Sequence, residues 1–492
     1  MRKAYSTLLL FLSIVLITNT LNAQERATVR GFVYDESNGE PIIFTNVYML
    51  GTTIGASTDI NGFFTIPNIP PGDYNIFVTY LGFDTIQQEM TLSAGDIRNE
   101  KFFLNPSDIR LETVTISGDR EEKETEVRIS TIKVNPKLIK KIPNIGAEPD
   151  IAQYIQILPG VVSTGDQGGQ LYIRGGSPIQ NKIMLDGMTI YNPFHSIGFF
   201  SVFETDLIKN VEVLSGGFGA EYGERISAIV DITSKDGNKK NLQGKVGVSP
   251  FMAKAVIEGP LKRIEETGGS SSFILSAKHS YLEESSKIFY EYVDSSGLPF
   301  TFTDLYGKVS LYGDNGSKVN FFGFNYQDNV NFLEESGLEW DSYGVGSSFV
   351  LIPGQNKTVI SGNFSFSDYR INLLESDLGL NDNPSNNKRF SNINGFNVGA
   401  DFTNYVTDGE IVYGFDIVGF KTDFVFFNSI GSKIQQKQNT TELGAYAKYR
   451  KKVGRFVFEP SVRIINYGYL GATQVEQRMG FKANITDDIL FK

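Results

Sequence analysis

The sequence predicts a mainly β protein with an N-terminal β-sandwich, a small α/β module and a transmembrane antiparallel β-barrel. Three observations support this fold class. Short strands alternate with turn signals over residues 26–104, glycine-rich hairpins follow over residues 149–237, and long strands of alternating polarity begin after Asn241. The composition agrees, because 13% of the residues are aromatic and 50 glycines and 17 prolines interrupt the chain.

The first 23 residues have the features of a secretory signal peptide. Basic Arg2 and Lys3 precede the apolar run Leu8–Ile17, which is too short to span a bilayer. Small residues ending at Ala23 suit cleavage before Gln24. The sequence therefore predicts that the chain is exported.

Charge and the scarcity of metal-binding side chains argue against several functions. The formal net charge of −11 disfavours a nucleic-acid partner. The chain has no cysteine, so we expect neither a disulfide framework nor a lipid anchor on a thiol. Its two histidines, His195 and His279, lack the spacing of zinc ligands. We therefore expect no metal, no cofactor and no enzymatic activity.

Residues 24–106 are predicted to form the sandwich. Turn signals such as Asn61-Gly62 separate short β-prone runs at regular spacing. The runs predict five strands: Thr28–Val33, Thr45–Met49, Gly62–Ile66, Tyr74–Tyr80 and Thr85–Leu92. The phrases Thr58–Gly62 and Pro71–Tyr74 resemble the carboxypeptidase regulatory-like domain, which implies the same β-sandwich fold.

Residues 149–238 predict a compact α/β module. Pro149 suits the first position of a short helix, which Pro159-Gly160 ends. Asp186-Gly187 is a strong hairpin signal between two strands. Further strands are predicted at Leu171–Arg174, Val211–Leu214 and Ala228–Thr233.

The motifs of this module resemble the plug domain of TonB-dependent outer-membrane receptors in order and spacing. They are Leu158-Pro159-Gly160-Val161, Ile173-Arg174-Gly175-Gly176, Leu185-Asp186-Gly187, Val211-Glu212-Val213, Gly216-Gly217-Phe218, Tyr222-Gly223 and Ile229–Lys235. The resemblance implies structural roles for Arg174, Gly175, Gly176, Asp186 and Gly187. A dinucleotide site is the rival interpretation of the glycines at 217–223, but their spacing is one residue too long and no βαβ unit follows.

Residues 107–148 are predicted to be a linker that contains one short β-prone segment. The segment consists of Leu111, Glu112, Thr113, Val114, Thr115, Ile116 and Ser117, and a densely charged stretch follows it. Between a sandwich and a plug, it resembles the TonB box, which lends a strand to an energy-transducing partner. The resemblance thus implies a TonB-type protein as a partner.

Residues 239–492 alternate in polarity as the strands of an outer-membrane barrel do. One predicted face carries Tyr343, Val345 and Phe349, and another carries Phe396 and Phe402. Short connections such as Gly313–Ser317 and Lys451–Gly454 alternate with longer polar stretches, which we expect to be extracellular loops: Leu282–Thr301, Asp328–Asp341, Ile371–Ser391 and Lys421–Asn439. An ordinary all-β domain is the alternative interpretation.

The barrel is predicted to be partial. About twelve strands are readable, whereas plugged transporters of this kind have about 22. We therefore expect that the sequence is a fragment of a longer receptor or a truncated product.

The resemblance implies a receptor in the outer membrane of a Gram-negative-type bacterium, in contact with its lipid, that imports a scarce, bulky nutrient. A surface binding protein or adhesin without transport is the alternative. The sequence leaves the extracellular ligand open among a ferric siderophore, cobalamin, an oligosaccharide and a peptide. The plug stretches Ile183–Tyr191 and Phe199–Phe203 do not resemble the plug of the large glycan importers that work with a lipoprotein lid. This makes an oligosaccharide less favoured as the ligand without excluding it.

Two sets of plug residues are candidates for specific roles. Tyr191, Asn192 and His195 lie on an aromatic loop after the predicted hairpin, and we expect them to face the ligand. For Arg174 two interpretations stay open. Either it locks the plug to the barrel wall, because a buried charge must be paired, or it is a solvated or internally paired side chain, with Glu212 or Glu224 as companions within the plug.

Overall fold

The structure is a computed structural model of the 492-residue chain, and most residues from 26 to 491 are described. The described ranges are 26–52, 54–107, 131–134, 139, 149–163, 170–195, 198, 200–223, 225–265, 268–289, 291–292, 297–332, 336–353, 358–375, 388–406, 409–427, 432–485 and 490–491. The predicted signal peptide and the TonB-box-like segment lie outside them. The chain divides into two compact units, one of Met1–Val33 and Ile43–Glu121 and one of Tyr34–Ile42 and Glu122–Lys492.

The first unit is a β-sandwich of two sheets. Its strands are β1 (Ala27–Asp35), β2 (Asn46–Met49), β3 (Gly55–Ser57), β4 (Phe63–Ile69), β5 (Gly72–Thr79), β6 (Ile86–Leu92) and β7 (Ile97–Leu104). One sheet has the order β4-β1-β7 and the other β3-β2-β5-β6. The five predicted strands are confirmed, and β3 and β7 are additional.

The second unit begins with the plug module. Its elements are β8 (Thr131–Val134), helix α1 (Ile151–Gln156), β9 (Val161–Ser163), β10 (Leu171–Ile173), β11 (Asn181–Leu185), β12 (Met188–Thr189), β13 (Ile208–Leu214) and β14 (Ala228–Ser234), with 3-10 turns at Pro178–Gln180 and Thr205–Leu207. The main sheet has the order β12-β11-β14-β13-β8, and β9 and β10 form a separate pair.

Local chemistry explains the two best-defined features of this module. The α1 helix is capped by Asp150, whose carboxylate accepts the backbone N–H groups of Ala152 and Gln153, so the helix starts after Pro149 rather than on it. The predicted hairpin is confirmed, with Asp186 and Gly187 both at positive φ (51° and 83°) as a tight turn of this kind requires.

The remaining strands form one large antiparallel sheet in consecutive order. In the described part of the chain it has thirteen strands, close to the twelve that the sequence predicts. They are β15 (Gln243–Val248), β16 (Met252–Lys262), β17 (Ser270–Ser280), β18 (Phe300–Tyr312), β19 (Lys318–Phe332), β20 (Ser336–Leu351), β21 (Thr358–Glu375), β22 (Lys388–Val406), β23 (Gly409–Phe427), β24 (Lys433–Val453), β25 (Phe456–Tyr467), β26 (Ala472–Asn484) and β27 (Leu490–Phe491). Helix α2 (Leu282–Phe289) lies between β17 and β18.

This sheet has one apolar outer face and one polar inner face. Val345 and Phe415 belong to the predicted outer faces and are 54% and 43% exposed. Inner-face residues such as Lys254, Asp304 and Arg463 are buried against the plug module. The sheet is therefore the wall of a barrel, as its alternation predicts. Among the described residues, no helix has the length and apolarity needed to cross a membrane.

Two of the predicted long loops, Asp328–Asp341 and Lys421–Asn439, are largely strand, so that part of the interpretation is wrong. β19 and β20 leave only residues 333–335 between them, and β24 runs for 21 residues. At about 3.3 Å per residue that is roughly 70 Å, whereas about 9–11 tilted residues cross a bilayer. Beyond the apolar band both strand faces are polar, as over Gln435–Asn439, so the alternation that signals a strand disappears while the backbone pairing continues.

Candidate functional site

The candidate site is the interface between the plug module and the inner face of the barrel wall. An apolar core joins the two, because buried Val211, Val230 and Ile232 of the plug sheet cluster with Tyr306 and Trp340 of the wall. Around this core the contacts are polar and fall into three groups. We call them the loop interface, the strand-end interface and the turn interface.

The loop interface joins residues 192–206 to strands β16–β21, and His195 lies at its centre. His195 Nδ1 is 2.9 Å from an Asp328 carboxylate oxygen, and Nε2 is 3.0 Å from one of Asp304. The imidazole stacks on Phe302 with a centroid distance of 3.8 Å and on Trp340 with 5.6 Å. Only 1% of His195 is exposed, so its side chain is buried against the inner face of the wall.

Two acidic plug residues extend the loop interface. Lys254 Nζ of β16 lies 2.9 Å from Glu204 and 3.2 Å from Asp206. Lys245 of β15 also reaches Asp206, at 2.6 Å. Lys254, Glu204 and Asp206 are all buried, so this pairing offsets the cost of removing their charges from water.

The strand-end interface joins residues 186–187 and 234–236 to β18, β19 and β21. Lys308 and Lys318 both contact the fully buried Asp236 carboxylate, at 3.0 and 2.8 Å. Burial alone would raise the pKa of Asp236, but these two ammonium groups hold it well below its ordinary value. Asp186 accepts a hydrogen bond from Tyr306 Oη at 2.5 Å, so the hairpin turn is itself bound to the wall.

The turn interface joins residues 218–223 to β23–β26. Arg463 Nη2 pairs with Asp416 at 2.8 Å, while its Nη1 donates to the carbonyl of Ala220 at 3.2 Å. Arg478 Nη1 donates to three carbonyl groups of the same turn: Phe218, Gly219 and Tyr222. Lys448 pairs with Glu221 at 3.2 Å. Cations of the wall thus hold a glycine-rich turn largely by its backbone.

The structure places the three candidate ligand residues in different environments. His195 is enclosed, so a ligand does not reach it in this conformation, and its ligand role stays a prediction for a rearranged plug only. Asn192 hydrogen-bonds to Tyr369 of β21. The hydroxyl of half-buried Tyr191 lies beside Gly395 of β22, where a Cβ would be 3.0 Å away. Tyr191 and Asn192 therefore line the wall at the loop and stay candidates.

The structure does not place Arg174 at the wall as a buried lock. Arg174 is exposed and adopts a positive φ of 50° directly after β10, so the expectation that its charge is buried is wrong. Its side chain lies near Gly160 and Gly216 of the plug. Gly175 follows at φ 79°, and Gly176 packs so closely on Ser227 that a Cβ would clash, which explains this glycine pair. Glu224 lies outside the described residues.

Sequence reasoning missed the cations that hold the plug. Lys254, Lys308, Lys318, Arg463 and Arg478 stand on inner-face positions of strands whose outer positions are apolar. The signal that would have found them is a long cationic side chain at an inward-facing position of a barrel strand, between outward-facing apolar positions. Within the described residues, no group of three or more histidine and acidic side chains is arranged to hold a metal ion.

Two family models match the chain. The carboxypeptidase regulatory-like domain matches residues 29–116, and the TonB-dependent receptor plug domain matches residues 124–229. These matches and the wall behind the plug define the order of a regulatory-like domain, a plug domain and a barrel wall. More particularly, the chain carries a carboxypeptidase regulatory-like domain followed by the plug domain of the TonB-dependent receptors, and its location is the outer membrane.

Similar proteins agree with this assignment. The chain is 28% identical to the TonB-dependent receptor SusC of Bacteroides thetaiotaomicron over 243 residues, which are 47% of this chain and 23% of that protein. It is 23% identical to the TonB-dependent transporter Oar of Myxococcus xanthus over 50% of this chain and 23% of Oar. These matches thus span about a quarter of the relatives' lengths.

Solved structures show the same fold. The ferric enterobactin receptor of Pseudomonas aeruginosa superimposes with a TM-score of 0.53 at 13% identity, covering 76% of this chain and 62% of that one. The outer-membrane transporter YddB of Escherichia coli gives 0.52 at 12% identity, covering 73% and 59%. The shared architecture is therefore that of TonB-dependent outer-membrane barrels.

Proposed function

We propose that the protein is a TonB-dependent transporter that imports a scarce, bulky nutrient across the outer membrane and catalyses no covalent reaction. The observation that carries this proposal is a folded plug domain held against a barrel wall by ion pairs and hydrogen bonds. An adhesin needs loops that bind a surface, but it has no need of a plug that can be moved.

The polar character of the plug interface suits a plug that moves. A buried ion pair contributes little net stability, because desolvation of both charges offsets most of their attraction. When Lys254 and Glu204 separate, water can solvate both groups again, whereas separating apolar surfaces costs about 25 cal/mol for each Å² exposed. A pull on the plug therefore meets a smaller barrier at these polar contacts than at the apolar core that joins the plug to the wall.

The segment Leu111–Ser117 is the proposed handle for the pull. Its β-prone sequence suits the addition of one strand to a sheet of a TonB-type protein, with main-chain hydrogen bonds supplying the affinity. The nutrient itself stays open between a siderophore and the other bulky ligands named above.

Deletion of Leu111–Ser117 in the full-length protein tests this function. We expect energy-dependent uptake of the nutrient to be lost while ligand binding at the cell surface is kept, since the ligand-facing loops are untouched. Deletion of seven residues of the charged linker, 119–125, is the matched control and should leave uptake intact. Unchanged uptake without Leu111–Ser117 would contradict the assignment, and surface binding without any uptake by the parent would support the adhesin.

A further inference from the structure

His195 is enclosed on every side by groups of the barrel wall. Each ring nitrogen faces a carboxylate, Asp328 at 2.9 Å and Asp304 at 3.0 Å, and its ring stacks nearly parallel on Phe302 and Trp340, at 13° and 17°. Both carboxylates are buried, with side-chain exposures of 3% and 5%. A simple packing role would require none of these polar contacts.

The proton count at this site decides the state of the ring. A neutral imidazole has one N–H donor and one acceptor nitrogen, so one carboxylate would face a lone pair. Only the imidazolium donates to both Asp304 and Asp328. The surroundings agree with an imidazolium, because both ring nitrogens face carboxylate oxygens and the nearby Lys278 ammonium, 2.9 Å from Asp304, also pairs with a carboxylate there.

The same residue fixes a whole loop of the plug. The His195 backbone N–H bonds to the carbonyl of Phe200, and the N–H of Val202 bonds to the carbonyl of Pro193. Ser201 is held from two sides, since its N–H donates to the helix-capping Asp150 and its carbonyl accepts Lys278 Nζ at 2.8 Å. A change at the imidazole therefore reaches the loop through a short, closed set of hydrogen bonds.

We propose that His195 is a protonation-dependent latch that holds the plug loop at residues 192–203 to the barrel wall and releases it when the ring loses its proton. The proposal rests on the proposed function in one respect, because the latch matters only if the plug moves. The latch itself is a property of this conformation and is tested without transport.

The direction of the pH dependence follows from the surroundings. Burial alone would lower the pKa of His195, but Asp304 and Asp328 outweigh burial and the opposing charge of Lys278, so the pKa is raised above its ordinary value of 6.5. For a group whose pKa is raised by folding, the stabilisation is full below the unfolded value and is lost as the pH rises through the folded value. The latch is therefore closed below the ordinary value of 6.5 and opens as the pH rises through the raised pKa of His195.

Hydrogen exchange of the full-length protein in detergent tests the latch. Protection of the amides of His195, Ser201 and Val202, corrected for the intrinsic rate at each pH, should fall at least about tenfold between roughly pH 6 and pH 10, as loss of a charge-assisted hydrogen bond predicts. Amides in β17 should show no such fall. A loop protection that is flat over this range would overturn the proposal.

Three variants make the test specific. His195→Gln cannot titrate, so its loop protection should be low and independent of pH; a parent-like profile would refute the latch. His279→Ala removes the other histidine, which is exposed and hydrogen-bonds to Thr303 Oγ1, and should leave the parent profile unchanged. Asp328→Asn keeps the shape but removes one carboxylate, so the transition should move down by about one pH unit or more.

The outcomes separate the latch from the function. An unmoved transition in Asp328→Asn would assign the titration to another group and contradict the proposal. Hydrogen exchange measures the latch in the resting protein, without transport. Contradiction of the latch by exchange would therefore leave the uptake experiment on Leu111–Ser117 valid, and contradiction of transport by the uptake experiment would leave the exchange result valid.

Discussion

Arg463 offers a direct test of how the plug is held at the turn interface. Its guanidinium group passes between Gly223 of the plug and Gly444 of β24; a Cβ at Gly223 would lie 2.6 Å from Nη2, and one at Gly444 would lie closer still. The two glycines thus form a slot for the arginine. Arg463→Ala empties this slot, and Gly444→Ala narrows it while leaving the arginine in the sequence.

The structure sets the size of the effect. Arg463→Ala removes the 2.8 Å pair with Asp416 and the hydrogen bond to Ala220, from a residue that is only 1% exposed. Breaking a fully buried pair costs about 3–5 kcal/mol. The Asp416 side chain is 19% exposed, so water solvates part of the remaining charge, and we expect a loss of about 2–3 kcal/mol. Gly444→Ala should cost about 1–3 kcal/mol by overpacking.

The single tryptophan provides the assay. Trp340 is 3% exposed and stacks at the plug loop, so its fluorescence in a urea titration reports separation of the plug from the wall. With a slope of about 1–3 kcal/mol per molar urea, the Arg463→Ala midpoint should fall by roughly 1 M or more. Arg370→Ala is the control, because Arg370 is exposed and 3.9 Å from Asp368, and its midpoint should stay within the error of the parent. Equal midpoints for the two arginine variants would refute the reasoning.

Two further predictions concern the plug. Half-buried Asp231 stands opposite Glu212, and burial together with Glu212 and Asp186 raises the pKa of Asp231 to about 7. Because folding raises this pKa, the parent loses stability as the pH rises from about 4 to 7, so Asp231→Asn should be more stable by about 1–3 kcal/mol at pH 8 and equal to the parent near pH 4 in thermal unfolding. Tyr191→Ala should weaken ligand binding by about 1 kcal/mol or more in calorimetry with unchanged thermal unfolding; unaltered affinity would place specificity in the barrel loops.

The strands were predictable where one of their faces meets lipid. Phe349 of β20 and Phe415 of β23 belong to outer faces on which apolar side chains recur at every second position. They recur because outer positions need apolar side chains in the bilayer. Past the apolar band that requirement ends, and Gln435–Asn439 is polar on both faces although it pairs fully with β23. Backbone pairing sets the ends of these strands, and it leaves no trace in side-chain polarity.

The contacts of the plug with the wall were beyond local sequence reasoning. Arg463 and Ala220 are 243 positions apart, and His195 and Asp328 are 133 apart. Arg174 sits among apolar residues, which suggested burial, but its positive φ turns the chain at the end of β10 and leaves the side chain exposed. His195 lies in a loop whose sequence suggested an exposed side chain. The side chain is buried because four wall strands converge on it. The positions of these side chains depend on how the plug domain packs against the barrel wall, and local periodicity does not encode that packing.

The three interfaces respond differently to pH, and this limits what a proton can do. Arg463 and Arg478 hold the turn interface through guanidinium groups, which stay charged in proteins. The pKa of Asp236 is held well below its ordinary value, so this carboxylate stays ionised at the strand ends. At the loop interface the pKa of His195 is raised above its ordinary value of 6.5, and this is the charge that the proposed latch loses as the pH rises. On this proposal the latch frees one loop while the two guanidinium groups still hold the turn, so we expect complete displacement of the plug to need further work.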